Sequence, residues 1–214
     1  LANEYEGFFQ NNGIKFRTHT VVLSSTRRYK MNMVFELIEK FEKTITYIVF
    51  PLLQKIETLL ASDSVSVSQK QFIYNLIRRK LFAAIESQED FFGNASNKYL
   101  LFLPKGEDKD LPLLFAHYLI KQSGGSVCYL GTNLCLNQVQ EVATIYKPDY
   151  LFTLVNSPLP LSNSEYFQQL SKLFPSTEIL VGGTQVVNTC TKSFKNIMSL
   201  CQIEDIVAFV QKTN

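Results

Sequence analysis

From residue 98 onward the chain alternates short apolar runs with helix-length amphipathic segments, and that alternation leaves little choice of fold. Residues 99–103, 126–130, 150–155, 178–181 and, more weakly, 196–200 have strand length and strand composition. Helical patterns occupy 111–122, 137–146, 165–173 and 203–212. Strands joined through helices of this length run parallel, because the helix carries the chain back to the edge where the previous strand began. The expected product is an α/β domain over residues 97–214, a doubly wound, five-stranded parallel sheet. Gly124-Gly125 supplies the stop after the first of these helices. Ligands of such sheets gather at the carboxyl ends of the strands, here 104–110, 131–133, 156–160 and 182–185.

Residues 1–92 read instead as a helical bundle. Met33, Val34, Leu37, Ile38 and Phe41 recur at helical spacing, and a second run follows through Ile45, Ile48, Val49, Leu52, Leu53, Ile56 and Leu59. Pro51 inside that run predicts a kink or a break. Residues 62–64 make a loop, and Ser68 is the expected N-cap of a helix carrying Phe72, Ile73, Leu76, Ile77 and Leu81. With a segment at 21–29 this gives about four helices. Residues 87–97 lose the periodicity and gain turn formers, as a linker between domains would.

Composition removes several classes of function. A net charge of +2 gives no reason to expect a nucleic-acid or membrane surface. Uninterrupted apolar runs fall short of the roughly 20 residues of a membrane helix, so a cytoplasmic protein without membrane contact is expected. Starting at Leu1 rather than Met, the chain reads as a fragment or a trimmed form. Cys128, Cys135, Cys190 and Cys201 form no C-x-x-C pair and read as small thiols in a reducing compartment. No G-x-G-x-x-G, G-x-x-x-x-G-K-[ST] or G-x-S-x-G occurs. The histidines are His19 and His117, neither at a strand end, so no nucleophile–base pair forms and a non-catalytic protein is expected. His117, inside a helix, reads as partly buried. The cluster Arg78-Arg79-Lys80 reads as a solvated or salt-bridged helix face rather than a set of phosphate contacts.

The motifs at the strand ends carry a resemblance. After the first strand comes Glu107-Asp108-Lys109-Asp110-Leu111-Pro112; Tyr129-Leu130-Gly131 ends the second, Thr153-Leu154-Val155 lies on the third, and Gly182-Gly183 follows the fourth. Their order and spacing resemble cobalamin-binding domains of methionine-synthase and MerR-regulator type, with a flavodoxin- or Rossmann-like sheet. Those domains carry D/E-x-H-x-x-G, Y-L-G, S-x-L and G-G at these places. In the family the His binds cobalt, the first Gly lets the corrin approach the backbone, and the small residues line a slot for its nucleotide tail. Here Glu107 fits the acid, while Lys109 stands at the His and Pro112 at the Gly. A protonated lysine has three donors and no lone pair for a metal.

The upstream helices resemble the cap of the same regulators, through Phe50-Pro51-Leu52-Leu53 and the run from Phe72 to Leu81. The family's Glu-His pair then falls on Lys70-Gln71 and its Trp on Leu60; the chain has no tryptophan. The resemblance spans residues 30–212 and implies the effector and oligomerisation region of a MerR-type transcription regulator whose cobalamin site is degenerate. On that reading there is no cofactor, and the protein is a homo-oligomer. It meets DNA only through an upstream helix-turn-helix, whose end Asn11-Asn12-Gly13-Ile14-Lys15 resembles. The alternative is a sensor or carrier that holds cobalamin, another corrinoid or a nucleotide at Gly131, Thr153, Gly182 and Gly183. A corrinoid-shuttle subunit of a methyltransferase would need the His that Lys109 replaces. An unidentified small molecule is a further candidate ligand. In the 107–112 loop, one account has Asp108 or Asp110 capping the next helix with Pro112 in its first turn. The other retains a cofactor without a protein ligand to its metal.

Overall fold

The computed structural model describes residues 41–88, 97–159, 161–187, 194–200 and 202–213. The helical runs expected at 21–29 and 33–38, most of the 87–97 linker, His19, Cys190 and Cys201 lie outside the described residues. Two compact units divide the chain, the first ending at Val65 and the second beginning at Ser66. The second unit therefore takes in a helix upstream of the linker as well as the sheet.

In the first unit, α1 (Phe41–Thr44) passes through a π-helical turn, Ile45–Val49, into α2 (Phe50–Ala61). The Phe50 backbone N–H donates to the Ile45 carbonyl, five residues back. Pro51 follows in the first turn of α2 and has no N–H to donate. The wider turn absorbs the proline, so the expected break is instead a local change of winding within one continuous helix. Ile45, Ile56 and Val65 are its buried apolar side chains. The segment Phe41–Ala61 is 21 residues long and holds an 18-residue window of mean hydropathy 1.2, which meets the length and composition of a membrane-crossing helix and is by itself weak evidence for one. Counting uninterrupted apolar runs missed this, because Glu42, Lys43, Lys55 and Glu57 are spread along a helix that does not break at Pro51.

The second unit opens with α3 (Val67–Glu86), whose N-cap is Ser66 rather than Ser68. The Gln69 N–H donates to Ser66 Oγ at 3.2 Å, and the Ser66 N–H donates to Gln69 Oε1 at 2.7 Å. Both serines have Gln three residues on, Gln69 after Ser66 and Gln71 after Ser68, and the fold makes the reciprocal pair at Ser66. The sheet follows as β1 (Lys98–Pro104), α4 (Leu111–Gln122), β2 (Ser126–Leu134), α5 (Leu136–Tyr146), β3 (Tyr150–Leu154), α6 (Asn163–Leu173), β4 (Glu178–Gly182), α7 (Thr184–Val187), β5 (Ile197–Leu200) and α8 (Ile203–Thr213). The five strands are parallel in the order β2-β1-β3-β4-β5. The winding reverses between β1 and β3, so a crevice opens there above the carboxyl ends.

Burial explains why the strands were readable. Tyr99 to Pro104 are all buried, as a central strand covered by helices on both faces requires. Phe102, Leu151, Val155, Tyr166, Phe167, Leu170 and Val181 form one core layer between the sheet and α5–α6. Two local features were not read from sequence. The strand β2 runs on through Gly131 to Leu134, because the register slips between Leu101 and Phe102 and Gly131 enters at φ +87°. Residues 131–133 therefore belong to the strand rather than to a loop beyond it. The short α7 also forms directly after Gly183.

Candidate functional site

The carboxyl ends of β1, β2, β3 and β4 are tied together by polar side chains from their own loops. Glu107 is the centre of this arrangement. The loop after β1 turns at Gly106 (φ +87°), and the Glu107 N–H donates back to the Pro104 carbonyl at 3.0 Å. That turn sends the Glu107 side chain across the β1/β3 crossover. Its Oε2 accepts the backbone N–H groups of Asn156 at 2.7 Å and Ser157 at 2.9 Å, and Oε1 accepts the Lys109 N–H at 3.4 Å. Glu107 is 2% exposed. A buried carboxylate with such charge-assisted bonds is held at about 1.5–3 kcal/mol per bond.

Asn156 ties β3 to β4. Its Oδ1 accepts the Thr184 N–H at 3.2 Å and its carbonyl accepts Thr184 Oγ1 at 3.1 Å and Gln185 Nε2 at 3.4 Å. Asn133, at φ +64° on β2, accepts the Gly106 N–H through Oδ1 at 3.0 Å.

At the far end of the loop, Asp110 occupies the N-cap position of α4 but makes no capping bond. Its Oδ2 instead accepts Arg78 Nε from α3 at 2.7 Å and the Tyr129 hydroxyl from β2 at 3.2 Å. The expected helix cap at Asp108 or Asp110 is thus replaced by a buried ion pair, while Pro112 does sit in the first turn of α4. Among the three basic residues at 78–80, Arg78 makes that ion pair and also lies 5.4 Å from the Phe82 ring. The Leu111 N–H donates to the Tyr74 hydroxyl at 3.2 Å. Burial, then the Asp110 charge, pushes the Tyr129 hydroxyl up and keeps it a donor. Tyr74 is pushed up too, by burial first. His117 stacks on the Tyr129 ring at 5.8 Å, and burial, with Lys121 nearby, brings it down to about 4, so it is neutral. It is a partly buried helix histidine, and its Nδ1 has no partner.

The sequence-predicted positions separate clearly. Glu107, Lys109, Gly131, Thr153, Gly182 and Gly183 all lie at or beside the strand ends. Lys70 and Gln71 lie in the first turn of α3, and Leu60 belongs to α2 in the first unit. Lys109 is exposed. Among the described residues no group of His, Cys, Asp and Glu side chains is placed to hold a metal ion. The loop offers cobalt no neutral nitrogen or thiolate, so its donor set does not fit as a cobalt ligand.

The glycines behave in two ways. Beside Gly106 nothing lies within 4 Å of where a Cβ would stand, and beside Gly131 the nearest atom is 3.9 Å away, so both expose open backbone. At Gly182 the vacant space is taken by Leu154 Cδ2 and the Leu200 carbonyl. At Gly183 (φ +101°) the Val155 backbone fills it, its carbonyl oxygen standing where an added Cβ would go. This glycine pair lets protein, rather than a tail slot, close in. Thr153 stands between Leu151 and Val155 on the face of β3 that meets α5 and α6. Its Oγ1 and the Tyr166 hydroxyl are both buried without a hydrogen-bond partner. An open depression of about 380 Å³ lies elsewhere, at the opposite end of the sheet, between Gln140, Lys147, Phe174 and Thr177.

Glu107 was legible in sequence. A salt-bridged role for the Arg78 face was legible too, but not its pairing with Asp110, nor the bonds of Asn156 and Asn133, although an Asn at each of two strand ends was a readable signal. Their partners come from segments far apart in the chain.

The fold and its strand-end site define a doubly wound α/β protein of the 2-1-3-4-5 order, with its crevice at the β1/β3 crossover. No protein-family model matches the chain, and no curated protein matches it in sequence. Among solved structures it is similar to the monomethylamine corrinoid protein of Methanosarcina barkeri, at a TM-score of 0.56 and 12% identity over 76% of this chain and 78% of that one. Looser likenesses are a cobalamin-binding protein of Desulfitobacterium hafniense DCB-2 (TM-score 0.45, 14% identity, 76% of this chain, 78% of that one) and the methanol:cobalamin methyltransferase complex MtaBC of M. barkeri (0.46, 13%, 76% and 64%). The chain shares its fold with that monomethylamine corrinoid protein.

Proposed function

We propose that the chain is a non-catalytic binding module of sensor or carrier type that takes a corrinoid at the carboxyl ends of β1–β4 without giving the cobalt a protein ligand. The observation that carries this reading is the open backbone at Gly106, in the loop after β1, and at Gly131, on the neighbouring strand β2. A flat ligand can approach peptide groups there, as it cannot where side chains intervene. The donor chemistry of 105–112 removes lower ligation of the cobalt, and every retaining contact must then come from backbone and from residues around the macrocycle. Gly131 lies open at the strand ends, whereas Thr153 is buried in the core beneath them and Gly182 and Gly183 act through the packing of β4.

Mixing the purified protein with adenosyl- or hydroxocobalamin in the dark, desalting, and recording the visible spectrum tests this. A corrin band retained near one equivalent, unchanged in position by Lys109→Ala, is the expected result. A colourless protein refutes it. The regulator setting implied by the sequence resemblance adds self-association to the proposal. Sedimentation velocity would then show more than one copy per particle, and a monomer under all ligand conditions would remove that setting.

A further inference from the structure

We infer that the Glu107 carboxylate is an internal stand-in for a ligand's anionic group: it fills a backbone oxyanion seat at the β1/β3 crossover, so the site takes ligands that bring no phosphate to that point. This rests on the strand ends being a ligand site, and it narrows the class of ligand.

Two successive backbone N–H groups, of Asn156 and Ser157, converge on one oxygen of Glu107 at 2.7 and 2.9 Å. Successive N–H groups aimed at one point make an anion-binding concavity whether the anion is a ligand or a side chain. The position is the one at which doubly wound sheets seat their ligands. The seat is built independently of Glu107. Thr184 grips Asn156 at both Oδ1 and the carbonyl, and Gln185 adds a third contact from the β4 side. Val155 is likewise fixed to β4, its N–H donating to the Gly182 carbonyl at 2.8 Å and its carbonyl accepting from Gln185 at 3.1 Å. The N–H groups therefore point at the crossover through contacts that do not involve the acid.

Glu107 is 2% exposed, so the seat is closed from solvent as well as filled. A phosphate arriving there would have to displace a carboxylate from its two best donors or share the space with a like charge, and both are unfavourable in a buried site. Free nucleotides and inorganic phosphate are therefore rejected at the crossover. A corrinoid, whose macrocycle spreads over the Gly106–Gly131 backbone, is not, provided its own phosphate lies elsewhere.

The test uses the full chain, ¹⁵N-labelled, with Glu107→Ala, which empties the seat, and Glu107→Gln, which keeps it filled by an uncharged acceptor. Inorganic phosphate is titrated at fixed ionic strength against chloride. In the wild type and in Glu107→Gln the Asn156 and Ser157 amides stay in place. In Glu107→Ala they move saturably and the melting temperature rises with phosphate, with binding at least about tenfold tighter than in the wild type. If Glu107→Ala is unfolded, phosphate must restore its fold. Saturable phosphate binding at those amides in the wild type overturns the inference, as does a Glu107→Ala protein that neither responds to phosphate nor is refolded by it. A colourless wild-type protein showing the expected phosphate pattern would remove the corrinoid proposal and leave the seat standing.

Discussion

The ion pair between Arg78 and Asp110 makes an asymmetric prediction. The two partners meet at 2.7 Å, but their side chains are 42% and 2% exposed. Replacing Arg78 with Leu leaves a buried carboxylate whose Oδ2 keeps one donor, the Tyr129 hydroxyl, and whose Oδ1 has none. Removing one partner of a buried pair costs about 3–5 kcal/mol, and the position of Asp110 at the start of α4 offsets part of it, so about 3 kcal/mol is expected. Replacing Asp110 with Asn is milder. Arg78 is exposed enough to rehydrate, and the Asn carbonyl oxygen still accepts from Arg78 or Tyr129, so the loss is about 1–2 kcal/mol. The double variant should cost less than the sum, since it leaves no unpaired buried charge. Urea unfolding followed by far-UV circular dichroism measures all three, the chain having no tryptophan to report by fluorescence. Equal losses for the two single variants, or a larger one for Asp110→Asn, would refute the assignment of the buried charge to Asp110.

Other consequences follow from the same geometry. Between pH 6.5 and about 4 the unfolded chain binds a proton at His117 that the folded chain does not, so stability falls as the pH drops through that window, by roughly 3 kcal/mol at its lower end. The stability difference between wild type and His117→Gln should show that slope; a flat difference would mean that His117 is charged in the fold. Gly183→Ala forces a Cβ into the Val155 backbone at φ +101° and should cost roughly 3 kcal/mol or more, whereas Gly106→Ala, with φ +87° and open space, should cost about 1 kcal/mol. Thermal unfolding distinguishes them, and similar losses at both sites would contradict the close packing at Gly183.

Much of the sheet was written in local pattern. The buried run from Tyr99 to Pro104, the helix Leu111–Gln122 and the stop at Gly124 need only hydrophobic periodicity and backbone preference. The cap of α3 was only half legible, because Ser66-x-x-Gln69 and Ser68-x-x-Gln71 both fit the reciprocal pattern and the fold uses the first. The turn of β2 through Gly131 was not, because a register slip is a property of two strands and shows in neither alone.

The site divides in the same way. Sequence placed Glu107 and Lys109 at the end of β1 and, through lysine's lack of a lone pair, argued against ligation of cobalt by this loop. Whether Asp110 would cap a helix or bind a cation depended on α3 laying Arg78 against it, thirty-two residues away in the chain. Whether Gly183 would open a slot or close one depended on the approach of Val155 from the neighbouring strand. Residue type and local spacing fix what a side chain can do. The partner it meets is set by long-range packing, in which a few ångströms decide between a vacant space, a hydrogen bond and a clash.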